Sequence, residues 1–121
     1  MTAIENKWVM VKDAKLTGLL SNITASINSI HPDSTVILFG SYARGDQHED
    51  SDLDICVLVP ELTSSRLDMK VEIRRVICDM CYAHGLSFDM KLYTYREFEQ
   101  EAQYKSSFQH AIMTEGVTLS A

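Results

Sequence analysis

The stretch VILFGSYARGDQHEDSDLDICVLV, residues Val36–Val59, decides how this 121-residue chain reads. An apolar run ends at Gly40-Ser41, a polar and acidic loop follows, and a second apolar run opens with Asp52-Leu53-Asp54. In a strand successive side chains alternate faces, so Asp52 and Asp54 share a face, about 6.6 Å apart at roughly 3.3 Å per residue. Two carboxylates so placed can share a divalent cation. Mg²⁺ takes one or two protein carboxylates and completes its octahedron with water and phosphate oxygens, so a nucleoside triphosphate would complete the shell. Gly40 and Ser41 stand where the first strand gives way to a short helix predicted over Tyr42–Arg44, and the backbone N–H groups of such a turn hold phosphate. A DxD pair alone is commonly a solvated strand edge, and a Gly-Ser pair alone says less. Together, in this order and at this spacing, they point to a metal-nucleotide site.

GSYARG (Gly40–Gly45) followed by SDLDICV (Ser51–Val57) resembles the signature of the DNA polymerase beta-like nucleotidyltransferase superfamily, specifically its minimal nucleotidyltransferases. The resemblance extends from about Leu16 to Leu119. It implies an α/β (α+β) fold with a small mixed β-sheet flanked by helices. It also implies that Gly40 and Ser41 hold the triphosphate of ATP and that Asp52 and Asp54 bind Mg²⁺, with two ions expected. The family uses a third carboxylate on a later strand, and Asp89 in SFDMKLYT (Ser87–Thr94) is its match.

Asp89 also stands out without the family. Read with period two, Phe88, Met90 and Leu92 form one face of a strand and Asp89, Lys91 and Tyr93 the other, so an apolar face meets the core and a polar face looks outward. If Asp89 adjoins the DxD pair, three like charges converge and raise one another's pKa, an arrangement that bound cations relieve. Asp89 is thus the candidate general base for an attacking hydroxyl, and with Asp52 and Asp54 a candidate metal ligand. Arg44 reaches either the triphosphate or the acidic loop, and both readings stand. Lys91 either contacts phosphate from the strand beside Asp89 or is an exposed lysine on a half-solvated strand. Ser51 is expected to orient the DxD pair through a local side-chain bond. His31, His48, His84 and His110 are read as solvated or helix-end residues without a role.

Length and composition describe one domain over residues 1–121, with 45% hydrophobic residues and a modest core. Seventeen acidic against eleven basic residues give a net charge of −6, which argues against a protein that tracks along an extended nucleic acid. The N-terminal MTAIENKWVMVKD lacks the apolar core of a leader, and no segment reaches membrane-span length, so a cytoplasmic protein without membrane contact is expected. Cys56 falls in a strand, while Cys78 and Cys81 form a CxxC with no second pair to complete a zinc site. All three are expected to be reduced core thiols, the CxxC on the buried side of a helix.

A pass along the chain gives an alternating order. Asp13 can cap a helix whose apolar residues Leu16, Leu19, Leu20, Ile23, Ile27 and Ile30 recur at helical spacing. Strands over Thr35–Phe39 and Asp52–Val59 precede a helix from about Ser65 to His84, closed by Gly85, with the stripe Met69, Ile73, Val76, Ile77, Met80 and Cys81. A strand from Ser87 to Tyr93 leads into a capping box, Thr94 to Glu97, then a short helix with Phe108, Ala111 and Ile112 that ends at Gly116. Val117–Leu119 adds a last strand.

The segment after Asp89 is needed to complete the helices, so the acceptor of a transferred group is expected to come from elsewhere. Minimal nucleotidyltransferases of this kind are often encoded beside a HEPN-domain protein and act as antitoxins, transferring AMP to a tyrosine of the HEPN ribonuclease toxin, and the resemblance implies such a partner. Trp8-Val9-Met10-Val11 is a candidate contact for it, or a strand added to the domain's own sheet edge. Two alternatives stay open: a drug-modifying adenylyltransferase, which usually carries an added helical domain, and a module that binds nucleotide or partner without catalysis.

Overall fold

The structure, a computed structural model, describes residues 14–119. Asp13 and the Trp8–Val11 segment lie outside the described residues. The elements run α1 (Ala14–Ile30), β1 (Thr35–Phe39), α2 (Ser41–Arg44), β2 (Leu53–Val59), α3 (Arg66–Ala83), β3 (Phe88–Thr94), α4 (Tyr95–Ala102), α5 (Phe108–Glu115) and β4 (Val117–Leu119). The four strands form one sheet in the order β3-β2-β1-β4. β1 pairs antiparallel with β2 and β4, while β2 and β3 are parallel. The parallel pair needs a long crossover, and α3 supplies it. This is the expected mixed sheet.

Alternation assigns the buried apolar strand residues to one of two cores. Val36, Leu38, Leu53, Ile55, Val57, Met90 and Leu92 pack with α1 and α3, while Ile37, Phe39, Cys56 and Leu58 pack with Phe98, Ala102 and Ile112 of α4 and α5. β1 and most of β2 are therefore apolar on both faces, as central strands covered on both sides must be. β3 is an edge strand and is apolar only on the side that meets α1 and α3. Each fully buried Leu or Ile contributes about 1.5–3 kcal/mol.

Local signals set the ends of the helices. Ser65 caps α3 by accepting the Asp68 N–H, and Gly85 follows the helix with φ 66°. Ser107 caps α5 through the His110 N–H. Of the α1 stripe, Ile30 is exposed and the other five residues are buried. In α3, Met69, Ile73, Ile77 and Cys81 are buried, while Val76 and Met80 are half-buried. Cys78 corrects the expectation of a buried CxxC, because it is exposed. It lies about 100° around the helix from Ile77, off the buried stripe. Burial pushes the Cys56 thiol up to about 12 and Cys81 to about 11, so both are inert core thiols at neutral pH. Among the described residues no helix is long and apolar enough to cross a membrane.

Candidate active site

Register builds the site. Phe39 is opposite Asp54 across the antiparallel β1–β2 pair, and Asp54 is opposite Asp89 across the parallel β2–β3 pair. The three residues form a row across three strands on the sheet face that α4 and α5 cover. The next row inward is Ile37, Cys56 and Lys91. Apolar packing thus gives way to carboxylates at the end of the sheet where the chain turns into α2.

That turn requires its glycine. Gly40 has φ 74°, a region L side chains rarely adopt, and its backbone presses against the Asp54 side chain. Ser41 opens α2, whose end is closed by Gly45 at φ 81°. A cavity of about 480 Å³ lies over the row, lined by Gly40, Ser41, Arg44, Asp54, Asp89 and Lys91, with Phe39 and the α5 residues Phe108, Ala111, Ile112 and Glu115. Five of the six residues singled out from the sequence meet there. The sixth, Asp52, is not part of the cavity lining; it is exposed just before β2 begins, and the Ser87 hydroxyl donates to its Oδ1.

The electrostatics is that of a site short of cations. Burial, then the Asp89 and Asp52 carboxylates, raise the pKa of Asp54, and Arg44 and Lys91 oppose them. Lys91 Nζ stands 3.4 Å from Asp89 Oδ2. Arg44 Nε donates to Asp46 Oδ2 at 3.2 Å, and its Nη1 is 3.8 Å from Glu115 Oε2. Arg44 therefore pairs with the acidic loop, one of its two expected partners, and also lines the cavity. A hard cation fits this donor set, which is all carboxylate oxygen around a side chain whose charge is poorly compensated. Among the described residues no three His, Cys, Asp or Glu side chains already form a closed ligand group. An ion here would lean on one or two carboxylates and on oxygens of its nucleotide, as Mg²⁺ commonly does.

Some residues were misread or missed. Ser51 does not reach the DxD pair; its Oγ accepts the His48 N–H at 3.0 Å and closes the acidic loop. Ser87, across the sheet, takes the place expected of Ser51. Phe108 and Ala111 carry the apolar pattern of α5 yet are exposed, and they line the cavity instead of filling a core. Glu115 was not anticipated. Its signal was available: it follows Phe108 at i+7, Ala111 at i+4 and Ile112 at i+3 on one helical face, and a glutamate in a last turn opposes the helix dipole.

Residues 20–114 match the nucleotidyltransferase domain family, a span that contains all six singled-out residues. The chain belongs to that family. Two proteins of Methanocaldococcus jannaschii, each named "Putative protein adenylyltransferase", are similar in sequence. One is 38% identical over 53 residues, 44% of this chain and 36% of that protein. The other is 53% identical over 36 residues, 30% of this chain and 36% of that protein. The chain thus spans about a third of the length of the curated relatives it matches. Two crystal structures share the fold of this nucleotidyltransferase domain. One, described as a "putative nucleotidyltransferase" of Sulfolobus solfataricus, has a TM-score of 0.54 at 16% identity, over 95% of this chain and 84% of that one. The other, described as a toxin-antitoxin with AMP-PNP, has a TM-score of 0.53 at 24% identity, over 82% and 70%.

Proposed function

We propose that this domain is a metal-dependent nucleotidyltransferase that moves AMP from ATP to a tyrosine hydroxyl of a partner protein, a HEPN-type toxin, and so acts as an antitoxin. The observation that carries the reading is the placement of Asp54 and Asp89 in register on adjacent strands beside the Gly40–Ser41 turn, in one cavity. The family match, relatives named as protein adenylyltransferases and a neighbouring structure described as a toxin-antitoxin with AMP-PNP support the donor and the kind of partner.

Each residue has a role in this reading. The N–H groups of the Gly40–Ser41 turn hold the triphosphate, and Arg44 adds positive charge at the same lip. Asp52, Asp54 and Asp89 would hold Mg²⁺, which when bound neutralises charge on the phosphate oxygens. Asp89 accepts the proton of the tyrosine hydroxyl. The phenolic oxygen bonds to the α-phosphorus as the bond from that phosphorus to the bridging oxygen breaks, and pyrophosphate leaves with the electron pair.

Incubation of the protein with α-labelled ATP, Mg²⁺ and the product of the neighbouring gene tests the reading. Label on a tyrosine of that product, found by mass spectrometry, is the expected result. A partner that binds and stays unmodified would favour the non-catalytic module, and label on a small-molecule hydroxyl the drug-modifying enzyme.

A further inference from the structure

A second concavity adjoins the first. About 340 Å³ in volume, it lies beside β3 and is lined by Arg66, Lys70, Lys91, Leu92, Tyr93 and Glu97. Lys91 lines both cavities, so the two are neighbours through one side chain. Three cations line it in a chain whose net charge is −6, Arg66 paired with Glu97 inside the groove and Lys91 with Asp89 beside it. Arg66 is fixed, donating to the Leu92 carbonyl at 2.9 Å and pairing with Glu97. Lys70 is half-buried and has no ion-pair partner among the described residues. The uncompensated positive charge of the groove is therefore that of Lys70, on an acidic molecule.

Its position follows the line of the reaction. Strand order places the Gly40–Ser41 turn at the end of β1, Asp54 on β2, Asp89 on β3, and the basic groove along β3, the edge strand. An in-line displacement puts the leaving and attacking oxygens on opposite sides of the phosphorus. With the leaving pyrophosphate at the β1 turn, the attacking hydroxyl comes from the β3 side, past Asp89. We propose that the groove of Arg66, Lys70 and Lys91 is the acceptor subsite, and that it takes an acidic segment flanking the tyrosine that receives AMP. The inference rests on the transferase reading above. An acidic partner is otherwise repelled by a chain of like charge, so the groove also sets the orientation in which the two proteins meet.

The test uses fluorescent peptides holding one tyrosine flanked by glutamates or by glutamines, bound to the full chain with Mg-ATP and followed by anisotropy. The glutamate peptide is expected to bind about five- to tenfold more tightly at low salt, the scale of one or two exposed charge pairs, with the difference fading at high ionic strength. Lys70→Glu should remove most of that preference and leave Mg-ATP affinity unchanged. Equal binding of the two peptides, or a preference that survives Lys70→Glu, overturns the proposal. Tighter binding of a single-stranded RNA of equal charge overturns it in favour of a nucleic-acid acceptor. Label transferred to the peptides is read separately. A glutamate peptide bound through Lys70 but unlabelled supports the groove and counts against the transferase reading; labelling without charge preference does the reverse.

Discussion

The backbone of Gly40 and the carboxylate of Asp54 occupy adjoining space: a Cβ on Gly40 would stand 2.1 Å from Asp54 Oδ2 and 3.0 Å from Cγ. The phosphate-binding turn and the candidate metal ligand are thus one construction. Gly40→Ala has to strain a backbone at φ 74° and also drive the carboxylate out of its row. A loss of about 1–2 kcal/mol in denaturant unfolding is expected from the backbone alone. Transfer should fall far more than that loss of stability accounts for, because the side chain that moves is Asp54. A variant with reduced stability but full transfer would separate the turn from the carboxylate.

Asp54 itself should cost the free protein stability. Its carboxyl is held above the ordinary value of 3.8 by burial and then by Asp89 and Asp52, so the folded state binds the proton more tightly than the unfolded one. Stability from this group is present below pH 3.8 and is lost as pH rises through the raised folded value; above that value the penalty is complete. At neutral pH without metal or nucleotide, Asp54→Asn should raise the melting temperature by about 2–4 °C, a modest figure because the site is open and screened. Melting scans at pH 7 and below pH 4 check both the sign and its disappearance in acid. A melting temperature that falls in the variant at pH 7 would show that Asp54 is already compensated.

Activity should divide the three aspartates. Asp52→Asn and Asp54→Asn are expected to abolish transfer, as should removal of divalent metal with a chelator, while the fold persists by circular dichroism. Asp89→Asn should keep Mg-ATP affinity and lose rate by roughly two to four decades, the contribution of a positioned base. Loss of nucleotide binding in Asp89→Asn would make it a nucleotide-metal ligand first. Full activity would place the base elsewhere.

What could be read from the chain alone follows from the range of the interactions. The turn at Gly40, the start of α3 near Ser65 and the capping box of Thr94 with Glu97 are set by neighbours a few residues apart, and they stand as expected. The meeting of Asp54 with Asp89 is long-range: period two puts Asp89 on the polar face of its strand, and the family pattern alone points to the meeting. Ser87 on Asp52 and Arg44 near Glu115 have no such local sign, because tertiary placement alone brings them together. Phe108 misleads for a related reason. An apolar residue on an amphipathic face announces burial, yet here the face borders a cavity, and the ring is held edge-on to Phe39 at 5.5 Å with Lys91 6.0 Å from its centre.

The junction of β3 and α4 offers a prediction about the platform on which Asp89 and Lys91 stand. Thr94 accepts the Glu97 N–H, Glu97 accepts the Thr94 N–H, and Glu97 also pairs with Arg66, whose guanidinium holds the Leu92 carbonyl at the free edge of β3. One carboxylate therefore ties a helix start, the first turn of α3 and an edge strand. The Thr94 backbone bond lowers the Glu97 pKa most, and the Thr94 hydroxyl and Arg66 lower it further against partial burial, so Glu97 stabilises the fold above about its ordinary 4.5, and this contribution is lost as pH falls through the lowered folded value. Thr94→Ala removes only the cap and should cost about 1 kcal/mol. Glu97→Gln keeps a side chain able to close the box but removes the charge that holds Arg66. It should cost less than Thr94→Ala in unfolding, while hydrogen exchange at the β3 edge around Leu92 speeds up by more. Equal exchange in the two variants would mean that Arg66 holds the edge without its carboxylate partner.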